Sequence, residues 1–280
     1  MFGSILKTAF VASAVVAAGF ASGALAQPSK SYPDFSSARF GWVSLRGGIA
    51  AMPGSPPPVR QDPSRPLVAN NTGQQPTFPY ADLNNSNLTP FALDGLKKAN
   101  ALSDSGFAMY SRASRCWATG VPVALNSVVQ PIFFIQTPRE VLTIGQGDQT
   151  VRHIYMDVPH SKAPKPSWYG ESVGHYEGEW LVVDTVAQDT RTFIDNFRTP
   201  HSEKLHVVER YHLIDGGNTL DTEVTIEDPA SFIKPVHLQM RARKAQAPDG
   251  IIESSCADGE SVNPFGQKEE PIPVASRPDF

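Results

Sequence analysis

The chain has 280 residues and a formal net charge of −4 at pH 7, from 24 Lys plus Arg against 28 Asp plus Glu. That balance gives no basic footprint for nucleic acid. Gly and Pro are high, at 21 and 25, which suits a chain with many turns.

Residues 1–26 read as a cleaved signal peptide. Lys7 supplies the positive n-region, an uncharged Ala- and Val-rich run follows, and Ala24-Leu25-Ala26 is an A-x-A cleavage signal. The run is rich in Ala, Gly and Ser and weakly apolar for a spanning helix. The expectation is an exported chain, periplasmic or secreted, with no transmembrane anchor after cleavage. Roughly 250 residues remain, which fits one β-rich domain with an extended lead-in. The two cysteines, Cys116 and Cys256, show neither C-x-x-C spacing nor an adjacent His. In an oxidising compartment such a pair is expected to form one disulfide. Closing so long a loop stabilises by roughly 4–5 kcal/mol in the chain-entropy model.

Residues 27–88 carry much Pro, Ser, Gly and Asn and read as an extended arm, loose or draped over the domain. The domain proper is expected over 89–260, with 261–280 as a tail. It opens on a short helix. Thr89 is suited to the N-cap and Pro90 to the first helical position. Phe91, Leu93 and Leu96 give a partial apolar face, and Gly95 weakens the helix.

From Pro131 onward the apolar period becomes strand-like. Strands are expected over 132–137, 140–145, 150–157, 171–177, 180–187, 205–214, 219–227 and 236–244. Gly147-Asp148, Glu177-Gly178-Glu179 and Asp215-Gly216-Gly217-Asn218 are hairpin signals. The connections 158–170 and 188–204 are longer, and long loops on a regular scaffold are common places for sites. This pattern predicts a mainly β fold, an antiparallel up-and-down meander closing into a lipocalin-like eight-stranded barrel with the helix before it. An open sandwich is the alternative.

Alternation assigns faces. Leu205, Val207, Glu209, Tyr211 and Leu213 form the more apolar face of their strand, which places Glu209 inside. Asp184 falls among Trp180, Val182 and Val186, although Leu181 and Val183 make the other face nearly as apolar. Over 150–157 either face buries a polar group, with Arg152 on one side and His153, Tyr155 and Asp157 on the other. An inward carboxylate must be paired, hydrogen-bonded or protonated, and Arg152 and Arg210 are the candidate partners.

Several of these residues carry a resemblance. Arg152, Ile154, Tyr155, Asp157 and His160 are followed by Trp168-Tyr169-Gly170 with Ser172 and Gly174, then Leu181 to Thr185. Next come His201-Ser202-Glu203, Val207 with Glu209-Arg210, and Asp228-Pro229. The pattern resembles a family of exported bacterial proteins of unestablished function. The chain departs from it at Val158-Pro159, where the family has Gly-Arg, and at Tyr176 and Glu179, where it has Trp and Asp. The resemblance implies export and a β-rich fold, and it transfers no catalytic residue.

The leading functional expectation is cofactor-independent acid–base chemistry, of lyase or isomerase type, on a small apolar or aromatic molecule in the barrel. Glu209 or Asp157 would serve as base, His160 or His201 as its partner, and Arg152 with Tyr155 as electrostatic support. Asp184, Trp168, Tyr169, Tyr211 and Arg210 would line the ligand site. Two other classes stand beside it: a non-catalytic binding protein for a small hydrophobic ligand, and a scaffold protein using the arm as its contact segment. No cofactor is expected. A divalent metal held by His160, His201 and nearby carboxylates is the alternative. Gly170-Glu171-Ser172-Val173-Gly174 satisfies G-x-S-x-G, but that motif acts only at a strand-to-helix elbow. Here the glycines read as permitting a bend.

Overall fold

The computed structural model describes residues 32–36, 39–66, 79–105, 107–108, 118–126, 131–146, 150–246, 250–251 and 268–269. The expected signal peptide and both cysteines lie outside these residues.

In chain order the elements are β1 (Phe40–Ala51), α1 (Pro90–Asp104), β2 (Phe107–Ala108), β3 (Ile132–Gln136), β4 (Glu140–Gly145) and β5 (Val151–Met156). They continue with β6 (Glu171–Glu177), β7 (Trp180–Val186), β8 (His206–Ile214), β9 (Thr219–Glu227), β10 (Val236–Gln246) and β11 (Lys268–Glu269). The short β2 and β11 pair with each other in parallel. The rest close a barrel in the order β1-β10-β9-β8-β7-β6-β5-β4-β3.

The barrel therefore has nine strands rather than eight. The ninth, β1, comes from the segment read as an arm. It pairs with β10 along its length and with β3 at Trp42↔Ile132, closing the ring. Its register shifts between Ser44 and Ile49, and such a bulge interrupts the period-two alternation that would mark a strand. A ring with an odd number of strands cannot alternate direction all the way round. The required parallel pair is β5–β6, with Ile154↔Ser172 and Met156↔Gly174 in register. The connection from Asp157 to Gly170 is long because it must return the chain to the far end of the barrel before β6 begins.

The strand interiors sort into three layers. At one end Phe35, Trp42, Phe134, Ile154, Leu181 and Tyr211 form an aromatic-rich plug. Full burial of each such side chain stabilises by about 1.5–3 kcal/mol. At the other end Val207, Val224, Ile226, Val236, Leu238 and Met240 form an aliphatic cluster. Between the two lie the buried polar side chains Arg152, Ser172, Thr185 and Glu209.

Helix α1 covers the aliphatic end. The Thr89 side chain accepts from the Ala92 N–H at 3.3 Å, fixing the N-terminus. Ala92, Leu96 and Ala99 face inward and Phe91 stays exposed, so the buried stripe differs from the Phe91–Leu93–Leu96 face expected. Gly95 has a packing reason: a Cβ there would lie 2.6 Å from Cγ of Pro200. The helix approaches that loop too closely for any side chain.

Candidate functional site

Three polar or concave features compete for the site. The first is the interior polar layer. On β5 the burial alternates with Arg152, Ile154 and Met156 inward and Val151, His153 and Tyr155 outward. On β8 Val207, Glu209 and Tyr211 face inward. Arg152 thus meets Glu209 across the barrel. Its Nη1 and Nη2 donate to Glu209 Oε1 and Oε2 at 3.2 and 2.5 Å. Nη2 also reaches Thr185 Oγ1 at 2.7 Å, and Nε reaches Ser172 Oγ at 3.1 Å. The Tyr211 hydroxyl donates to Glu209 Oε1 at 2.9 Å. Burial alone would push Arg152 toward losing its proton, but the Glu209 charge and hydrogen bond, with Tyr211 and Tyr169, together outweigh it and hold the guanidinium above its ordinary pKa. Burial, then the Glu209 charge, keeps the Tyr211 phenol protonated. Ser172 belongs to this layer, inside a strand, and no helix follows Gly170 to Gly174. Gly170 has φ +65, and a Cβ on it would lie 2.2 Å from the Val186 carbonyl oxygen.

The second feature runs over the outer wall of the same strands. Asp184 is not inward: Leu181, Val183 and Thr185 take the core face of β7, and the Asp184 side chain is 39% exposed. Leu181 and Val183 decide the strand's orientation because their face also carries Thr185, which the Arg152 guanidinium needs. Outside, Asp184 Oδ1 lies 2.9 Å from His160 Nε2 and 3.0 Å from His206 Nε2. His160 Nδ1 faces Glu171 at 3.0 Å, and His206 Nδ1 faces Glu227 at 3.1 Å. The result is an alternating chain, Glu171–His160–Asp184–His206–Glu227. Hydrogen bonding to Asp184 in the first place, and to Glu227 as well, raises His206 to about 9. The His206 hydrogen bond, ahead of the one from His160, lowers Asp184.

The third feature is a cavity of about 640 Å3 at the aliphatic end of the barrel. Ile49, Val59, Ile194, Phe197, Ile226 and Phe232 wall it together with Val236, Leu238 and Met240. Its charged lining residues are Arg60 and Asp195. Asp195 lies in the 188–204 connection, where its own loop holds it. Oδ1 accepts from the N–H groups of Phe197 (2.9 Å) and Thr199 (3.1 Å), and Oδ2 accepts from the Thr199 hydroxyl at 2.6 Å. Burial raises the Asp195 carboxyl above its ordinary range, against the pull of these hydrogen bonds. Asp195 is half-buried and lines the cavity.

The residues singled out from sequence therefore divide. Glu209, Arg152 and Tyr211 meet, but none of them lines the cavity. Asp157 and Tyr155 are exposed. His160 is on the outer wall. His201 is buried elsewhere, with Nε2 2.8 Å from Thr192 Oγ1 and Nδ1 2.9 Å from the Ser202 carbonyl, and burial lowers its pKa. Trp168 lies under the Arg191 guanidinium at 4.4 Å. Tyr169 accepts from the Thr150 hydroxyl at 2.9 Å. Arg210 points outward to Glu177 at 2.8 Å. Among the described residues no group of three or more His, Cys, Asp or Glu is placed to hold a metal ion.

Sequence reasoning missed Asp195. Its one local signal is the Asp-x-x-x-Thr spacing, which suits a self-capped turn and says nothing of a cavity beside it.

These features define a closed β-barrel with an apolar cavity at one end. No protein-family model, curated protein or solved structure matches the chain. Among the described residues no helix is long and apolar enough to cross a membrane.

Proposed function

We propose that the protein binds a small apolar molecule in the cavity at the aliphatic end of the barrel. The observation that carries this is the cavity itself: about 640 Å3, walled mainly by aliphatic and aromatic side chains. Ligand sites are commonly of this size and makeup. The buried carboxylate of the barrel interior supports binding over catalysis. Glu209 is tied to Arg152 and Tyr211 and does not line the void. The signal-peptide pattern at residues 1–26 supports an exported location.

Acid–base chemistry in the same cavity is the second reading, favoured by the raised Asp195 carboxyl at its wall. Among the described lining residues no His or second carboxyl joins it. A proton relay would lack its other member, so binding is preferred.

The test is a fluorescence titration with N-phenyl-1-naphthylamine, a neutral apolar probe. Saturable enhancement is expected, and Ala51→Phe should abolish it. Ala51 ends β1 at the cavity wall, so a benzyl group there fills space the ligand needs. Probe enhancement that survives in this variant, with its thermal unfolding unchanged, would remove the cavity as the binding site.

A further inference from the structure

Resting on the reading of this cavity as a ligand site, we infer that its ligand is an amphiphile with a cationic or strongly hydrogen-bond-donating head, a primary amine in the simplest case, seated at Asp195.

Asp195 has acceptor capacity that its own loop does not fill. A carboxylate offers two oxygens and about four lone-pair positions. Oδ1 of Asp195 receives two backbone N–H groups and Oδ2 receives one hydroxyl. One position on Oδ2 is left, on a residue that lines the void. The three donors all come from the neutral groups of Phe197 and Thr199. Among the described residues no Lys, Arg or His pairs with Asp195, and no charged group figures among the causes of its shift. A carboxyl group with no cation paired to it among the described residues makes its side of an apolar cavity attract positive charge and donors. It also repels a second carboxylate.

The walls supply the other half of the recognition. Ile194 and Phe197 adjoin Asp195 along the chain, and Phe232 with Leu238 and Met240 of β10 extends the apolar lining. An alkyl or aromatic body would bury there while its head group stays at Asp195. Arg60 is the competing anchor: it lines the same cavity but is exposed, so an anionic head there would remain in contact with solvent. An ion pair at an exposed position is weak. A charge-assisted hydrogen bond to a shielded carboxylate is stronger, which is why Asp195 sets the preference.

The experiment is competition against N-phenyl-1-naphthylamine on the purified protein, using decylammonium, decanol and decanoate at matched micromolar concentrations. Decylammonium should compete roughly tenfold or more better than decanol, and decanoate should be the weakest. In Asp195→Asn the amine's advantage over decanol should vanish, read as the ratio of the two competitors within the variant. The substitution keeps the turn: the amide oxygen still accepts from Phe197 and Thr199, and its NH2 donates to the Thr199 hydroxyl. A cooperative thermal unfolding transition like that of the unaltered protein shows that the variant is folded. Equal competition by all three compounds, a preference for decanoate, or an amine preference that persists in Asp195→Asn overturns the head-group assignment and leaves the cavity reading intact. Absence of any probe binding to the unaltered protein overturns both.

Discussion

The two faces of strands β5 to β8 carry the same chemistry in opposite surroundings. Inside, Arg152 and Glu209 form a bidentate pair with side-chain exposures of 2% and 0%. Outside, Asp184 and His206 pair at 3.0 Å with exposures of 39% and 33%. Removing charges from water is expensive, and the inner pair is supported by further hydrogen bonds to Ser172, Thr185 and Tyr211. The outer chain is screened by solvent. Its consequence is a shifted histidine and a tether for the Asp157–Gly170 crossover through His160, not a large share of the stability. Charge placed inside this barrel holds the layers in register; charge placed on its wall tunes titration.

The comparison breaks most visibly at Glu209. Glu209→Ala should cost about 3–5 kcal/mol in urea unfolding, because Arg152 would be left charged and buried. The paired change Arg152→Met with Glu209→Leu should recover most of the loss. If Glu209→Ala unfolds no more easily than the parent, the inner pair is not structural. The next effect belongs to Gly170, which enters β6 at positive φ and where an added Cβ would lie 2.2 Å from the Val186 carbonyl oxygen. Gly170→Ala should destabilise by roughly 1–3 kcal/mol in the same assay.

The smallest effect is outside. Asp184→Asn should change stability by less than about 1 kcal/mol, yet NMR titration should show His206 falling from about 9 toward its ordinary value near 6.5. The sign follows from linkage. His206 is raised in the folded state, so its stabilisation is fully present below about 6.5 and is lost as pH rises through about 9. A parent protein whose stability is flat across that window would show that the outer chain does not form in solution.

The sequence by itself determined the eight later strands, each within two residues of its observed ends, because period-two burial is a local signal. It determined the helix start at Thr89, since a cap and a first-position proline act over four residues. It also placed Glu209 inward, since the neighbours Val207 and Tyr211 leave that strand one apolar face.

Tertiary structure alone decided the rest. β1 is a strand because β10 and β3 offer it two open edges, which its Gly-Gly break and bulge conceal. Arg152 rather than Arg210 pairs with Glu209 because closure brings β5 opposite β8 across the interior, a relation no local pattern encodes. Asp184 turned outward because β7 has two nearly equal faces and Arg152 needs Thr185. Asp195 became part of a candidate site only when the 188–204 loop folded over the barrel end. A cavity is a relation among β1, β10 and loops far apart in the chain, and side-chain periodicity carries no information about what is enclosed between them.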